Sequence, residues 1–276
     1  MIGLRRLVLA ALLAAAPLHA EEEVPYVQTP QNVVEAMLEL AGVRGTDFLI
    51  DLGSGDGRIV ITAAQKLGAR GVGIDYDSYL VKESTANAEK AGVADRVRFL
   101  NEDIFAADLS AATVVTMYLL PEFNLRMRPK LLAELRPGTR IVSHDWDMGD
   151  WMPEAKVEVP APGKTVGLRK VSTLYLFIVP ARLDGTWATR VPVGDGTMDI
   201  ELMFDQTLDR LGGTARVDGA ARAIERAVVK GRYVSFRIDD SRGAIRFQGH
   251  AGPDRIVGQV AAPDGTTYPW RALRVK

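Results

Sequence analysis

Apolar and polar positions follow two different rhythms along the chain. From Thr29 to about Val179, short apolar runs alternate with stretches in which apolar residues recur every three or four positions. The runs at 47–51, 71–75, 97–100, 112–118 and 140–143 read as strands. The periodic stretches at 58–67, 77–90 and 121–135 read as helices, the last with a bend at Pro129. An earlier helix is expected to start at Thr29-Pro30, with threonine as cap and proline at the first helical position. Runs at 156–159 and 172–179 follow each other with no helix between, so they should form an antiparallel hairpin at the end of the sheet. The pattern predicts an α/β fold with a doubly wound, mostly parallel sheet. After Pro180 the rhythm changes. Seven strand-like runs, from 185–187 to 270–275, are separated by turns such as Asp218-Gly219 and Asp264-Gly265. Residues 182–276 should therefore form a small all-β antiparallel meander or barrel, set apart from an α/β domain over 21–181.

The first 20 residues belong to neither rhythm. Arg5 and Arg6 precede an apolar run from Leu7 to Ala16, Pro17 breaks it, and Leu18-His19-Ala20 offers a small residue for cleavage. This is the layout of a secretory signal peptide, and the run is well short of the roughly 20 residues a membrane span requires. The chain is expected to be exported to the periplasm or envelope, with no transmembrane span once the leader is removed. An uncleaved leader acting as an anchor is the alternative.

Composition narrows the function. With 34 basic against 35 acidic residues, the net charge of −1 argues against nucleic acid held on a broad basic face. The absence of cysteine rules out disulfides, thiolate metal sites and a cysteine nucleophile. Three histidines, at 19, 144 and 250, are too few for a histidine metal cluster, so no metal site is expected.

The candidate chemistry lies in Asp51-Leu52-Gly53-Ser54-Gly55-Asp56-Gly57-Arg58, between a strand and a helix. In such sheets ligands bind at the carboxyl ends of the strands, where the strand order reverses. A dinucleotide site would carry G-x-G-x-x-G and set a pyrophosphate on the helix N-terminus. Here Arg58 replaces the third glycine, and Asp51 stands two residues before the first. A carboxylate there suits a ligand that presents an ammonium group. Asp75, at the end of the next strand, is placed for ribose hydroxyls. Asp103, after the third strand, is placed for an adenine amino group, with Ile104 and Phe105 as an apolar wall.

These features resemble the class I S-adenosylmethionine-dependent methyltransferases, over residues 25 to about 179. PYVQTPQNVVEAML, DLGSGDGRIVI, YLLPE and RPGTRIVSHDWDMGDW are similar to one branch, the protein-lysine methyltransferases related to those that modify the ATP synthase c subunit. The resemblance implies S-adenosylmethionine as cofactor. Tyr26 and Thr29 would close over it, and Asp51, Gly53, Ser54, Gly55, Asp75, Asp103 and Ile104 would hold it. Tyr118, at the end of the fourth strand, would orient an acceptor amine, and Glu122 would attract a cationic lysine. His144, Asp145, Trp146, Asp147 and Trp151 could build the acceptor mouth, because acids and aromatic rings both stabilise an ammonium group. The expected acceptor is a lysine of an envelope protein. A small-molecule acceptor, or a non-catalytic protein that binds an adenosyl ligand or a partner, stays open at this point. The eukaryotic relatives lack the C-terminal meander, so the acceptor does not carry over from them.

Overall fold

Residues 48–52 (FLIDL) are apolar on both sides of the pleat, the pattern of a strand covered on two faces. They form β1, Phe48–Leu52, an interior strand of a seven-stranded sheet. The computed structural model describes residues 26–193 and 196–275, so the expected leader over 1–20 lies outside the described residues. The remaining strands of the sheet are β2 (Arg70–Asp75), β3 (Val97–Asn101), β4 (Val114–Met117), β5 (Arg140–His144), β6 (Ala155–Pro160) and β7 (Val171–Ile178). Helices α1 (Gln31–Leu40), α2 (Arg58–Leu67), α3 (Ser78–Lys90) and α4 (Pro121–Glu134) connect or flank them. The order is β3-β2-β1-β4-β5-β7-β6, parallel except for β7, which runs antiparallel to both neighbours. The expected hairpin is therefore present, folded back so that its second strand lies between β5 and β6. The order reverses between β1 and β4, which opens a crevice at the ends of those strands.

One local expectation fails. Thr29 does not cap α1; the residue before the helix is Pro30, at ψ 143, and no side chain caps the end. The Thr29 hydroxyl is buried and lies 3.2 Å from His144 Nδ1 instead.

The C-terminal part is a closed barrel of eight antiparallel strands, in the order β10-β11-β12-β13-β14-β15-β8-β9. They are β8 (Gly185–Val193), β9 (Gly196–Thr207), β10 (Arg210–Val217), β11 (Ala220–Lys230), β12 (Tyr233–Asp240), β13 (Gly243–Ala251), β14 (Arg255–Ala261) and β15 (Thr267–Arg274). The sequence pattern accounts for seven of them and misses β11. AARAIERAVVK is rich in helix formers, and its alternation is broken by a bulge between Glu225 and Val228, with Arg226 at φ 50. Pairing on both sides overrides the local preference. The barrel interior is filled: Phe236 stacks on Phe247 at 4.6 Å, and Trp270 meets both rings edge-on.

The barrel docks on the end of the sheet where β5 begins. Ala181 N–H donates to Gly231 O (2.7 Å), Lys230 pairs with Glu154, and Gly231 sits against Gly138, two residues before β5. The crevice opens where β5 ends at His144, about 15 Å further along the strand. The barrel also reaches the loop after β5, where Arg210 lies 3.9 Å from Asp150, but none of the residues lining the cavity at the glycine turn comes from the barrel.

Candidate active site

The turn between β1 and α2 is built by backbone bonds to its neighbour strand. Gly53 and Ser54 N–H both donate to Ile74 O, at 2.9 and 3.0 Å. Gly55 N–H donates to Asp75 Oδ2 (2.8 Å), and Asp77 N–H to Asp75 Oδ1 (2.9 Å). Asp75 thus shapes the glycine turn as well as ending β2. Gly55 is required on two counts. Its φ is +53, and a Cβ there would lie 2.4 Å from the Tyr26 ring.

Asp51 is 2% exposed, and the Thr116 hydroxyl donates to its Oδ1 at 2.7 Å. Burial pushes its carboxyl up to about 8, against the Thr116 bond, and the charges of Asp75 and Asp56 add to the rise. Nearby, the buried Ser54 hydroxyl has no hydrogen-bond partner among the described residues. A carboxyl kept neutral by burial and an unpaired hydroxyl beside a glycine turn could hold the ammonium end of a ligand.

Residues 26–29 form a strap over this turn. Tyr26 lies across Gly55, and its hydroxyl accepts from Asp56 N–H and Gln28 Nε2, both at 3.2 Å. Arg58 closes the strap: its guanidinium pairs with Asp56 at 2.5 Å and donates to Thr29 O at 2.9 Å. The residue that breaks the dinucleotide pattern therefore has a positive task, fastening the strap to the turn. Tyr26, Thr29, Asp51, Gly53, Ser54 and Tyr118 line a cavity of about 30 Å³ beneath it, which is room for one water.

Tyr118 forms the other wall. Its ring lies 3.8 Å from the His144 ring, and its hydroxyl donates to Asp145 Oδ2 at 3.0 Å. Burial, then the Asp145 charge, push the phenol above its ordinary range. His144 is fully buried between Thr29 and Ser172 Oγ (2.7 Å), and burial holds its ring well below the usual histidine range, so it is neutral. Burial opposes ionisation of Asp145, but the hydrogen bond from Lys164, the Thr173 N–H and the Lys164 charge outweigh it, and the carboxyl lies below its usual value.

The other expected residues are distributed more widely. Asp103 and Ile104 follow β3 on the same edge of the sheet but do not line the cavity; Asp103 is exposed and accepts from Phe105 N–H at 2.9 Å. Glu122 is exposed in the first turn of α4, and it too does not line the cavity. Trp151 is not part of an acceptor mouth. It is 1% exposed and packs on Phe177 at 5.1 Å, because the chain turns inward after Met148. Trp146 and Asp147 are exposed on the rim. Sequence reasoning missed Thr116, Asn124 and Lys164. Asn124 is fully buried and donates to Ser143 Oγ and to the Trp146 and Asp147 carbonyls, which fixes the loop after β5. Only the fold brings these residues to the rim.

Residues 51–155 match the family described as "ANTKMT methyltransferase domain". A protein-lysine N-methyltransferase of Saccharolobus islandicus is 42% identical over 157 residues, which are 56% of this chain and 94% of that enzyme. The chain belongs to the class I S-adenosylmethionine-dependent methyltransferases, in the family of that archaeal enzyme. S-adenosylmethionine is accordingly the cofactor. The methyltransferase also matches the mouse adenine nucleotide translocase lysine N-methyltransferase, at 36% identity over 49% of this chain but only 58% of the mouse protein. A crystal structure titled as an RNA methyltransferase from Salinibacter ruber, in complex with S-adenosylhomocysteine, is 52% identical. It covers 57% of this methyltransferase and 96% of that chain, with a TM-score of 0.53.

Proposed function

We propose that this enzyme transfers a methyl group from S-adenosylmethionine to a lysine side chain of a protein, and that it does so outside the cytoplasm. Asp51 with Ser54 holds the ammonium end of the cofactor, Asp75 its ribose, and Asp103 with Ile104 its adenine. Gly53 and Gly55 leave room for it against the backbone, and Tyr26 and Thr29 close over it. When bound, the cofactor would supply an activated methyl group for transfer to nitrogen, with its sulfur as the leaving group that keeps the electron pair. The acceptor must arrive as a neutral amine, its proton lost to solvent beforehand. The protein then contributes mainly alignment and the exclusion of water. Tyr118 orients the amine, and Glu122, on the rim, attracts the cationic side chain.

The observation that carries this reading is the buried Asp51 carboxyl at the glycine turn, which has a hydroxyl partner but no ion pair among the described residues, because an amino-acid ammonium fits it and a phosphate does not. Two family members named for lysine support the acceptor. The RNA named for the Salinibacter relative is the competing acceptor, and the net charge of −1 weighs against it. The leader motif over 1–20 supports export to the periplasm or envelope, where the acceptor would be an envelope protein. Purified enzyme should be incubated with methyl-labelled S-adenosylmethionine and, separately, envelope protein, total RNA and small-molecule extract. Methyl-lysine released by acid hydrolysis of the protein fraction is expected. Label confined to RNA or to small molecules overturns the acceptor, and a full-length chain retained in the cytosol on fractionation overturns the location.

A further inference from the structure

The Tyr118–Asp145 pair is held by a third group that the reaction, as described above, does not use. Lys164, between β6 and β7, is only 8% exposed. Its Nζ lies 2.6 Å from Asp145 Oδ2, the oxygen that also accepts the Tyr118 hydroxyl. A second bond, from Nζ to Val171 O at 2.8 Å, fixes the ammonium. Thr173 N–H fixes the other carboxylate oxygen at 3.1 Å, and Asp145 N–H returns a bond to Thr173 O at 2.7 Å. A lysine this buried is tolerated when it is paired, and the pairing keeps Asp145 ionised.

An ionised carboxylate has no proton to give, so the direction of the Tyr118–Asp145 bond is fixed, with the phenol donating. A phenol carries one proton. With that proton committed to Asp145, the Tyr118 oxygen can only accept from whatever enters the cavity that Tyr118 lines. A neutral amine offers an N–H to such an oxygen and keeps its lone pair free for the methyl carbon.

We propose that Lys164 and Asp145 are positioning residues that act through Tyr118, holding its hydroxyl as a fixed acceptor for an N–H of the incoming lysine amine. This rests on the lysine reading above. The ion pair does more than staple the β6–β7 loop, and it also means that Asp145 is already neutralised and does not itself attract the substrate cation.

The test is a double-mutant cycle on the full-length enzyme. Methyl-lysine formation in envelope protein is measured at saturating S-adenosylmethionine for wild type, Y118F, D145N, K164M, K164R and the doubles Y118F/D145N and Y118F/K164M. S-adenosylhomocysteine affinity is measured alongside. Y118F, D145N and K164M are each expected to lose roughly tenfold to a hundredfold in rate, with cofactor-product affinity within about threefold of wild type. K164R, which keeps the charge, should retain most of the rate. Both doubles should be no slower than Y118F alone, because the three groups act as one unit. A further loss in the Y118F background equal to the loss in wild type overturns the proposal, since a loop staple would act whether or not the hydroxyl is present. If D145N does not fold, the Lys164 cycle decides. Wild-type label on RNA, or on an oxygen or carbon atom, overturns the lysine reading and this proposal together; methyl-lysine with additive losses overturns only the proposal.

Discussion

Asp51 should make cofactor binding expel a proton. In the free protein its carboxyl is pushed up to about 8, so it is neutral at pH 6 to 7. The ligand's α-amino group, that of a free amino acid and so titrating above the range of a peptide N-terminus, is an ammonium over the same range. The bound pair needs only one proton between them, on the nitrogen, so binding below pH 8 releases about one. Affinity should therefore rise about tenfold per pH unit between pH 6 and 7, roughly 1.4 kcal/mol. It should peak above pH 8 and fall again as the free amino group loses its proton.

S-adenosylhomocysteine is the ligand of choice, since it has the same amino-acid end and undergoes no transfer. Calorimetric titration at pH 6.5 in two buffers of different ionisation enthalpy counts the protons directly. Asp51→Asn should bind at least a hundredfold more weakly and release essentially none, because the buried ammonium loses its counter-charge. The stability of the ligand-free protein provides a second readout. A carboxyl raised on folding contributes stability that is fully present below pH 3.8 and lost as pH rises through about 8. Ligand-free melting should therefore fall across that window in wild type and flatten in Asp51→Asn, while the shift caused by ligand grows with pH. No proton release from wild type at pH 6.5, or equal release from Asp51→Asn, would refute the placement of the ammonium at Asp51.

Three further outcomes are expected. Gly55→Ala must both hold alanine at φ +53 and clear a Cβ 2.4 Å from Tyr26, so it should cost about 1–2 kcal/mol in denaturant unfolding and weaken S-adenosylhomocysteine binding; a variant that binds like wild type would show that Tyr26 does not cover the ligand. His144, buried and neutral, protonates more readily in the unfolded chain, so stability should fall as pH drops below about 6.5; acid titration of unfolding in wild type and His144→Gln should separate, and parallel curves would count against this. Trp270→Ala, which removes a 2% exposed ring packed on Phe236 and Phe247, should destabilise the barrel by about 3–5 kcal/mol while leaving cofactor affinity unchanged; a coupled loss of affinity would place the barrel closer to the site than its docking contacts do.

What the sequence reveals of this enzyme follows from the range of each interaction. The elements around β1, α2 and β2 are readable because apolar periodicity and glycine spacing are local signals, and the β1–α2 turn is held mainly by residues 51–58 and by Ile74 and Asp75 at the end of β2. Arg58 shows where local reading stops short. It is visible as a departure from a glycine pattern, but its purpose appears only once Thr29, 29 positions away, is folded beneath its guanidinium. β11 errs in the other direction: its composition favours helix, and only the two neighbouring strands of a closed barrel hold it extended. Lys164 is the extreme case. In APGKTVGLRK it reads as a solvated turn residue, and nothing within ten positions hints at Asp145. Both residues come together because β7 folds back between β5 and β6, which carries the loop before it up to the end of β5. The glycine turn at the centre of the proposed cofactor site is thus written in one short stretch, whereas the residues proposed to align the acceptor are assembled by topology. That division explains why the cofactor can be inferred from residues alone, while the acceptor has to be argued from Tyr118, Asp145 and Lys164 in three dimensions.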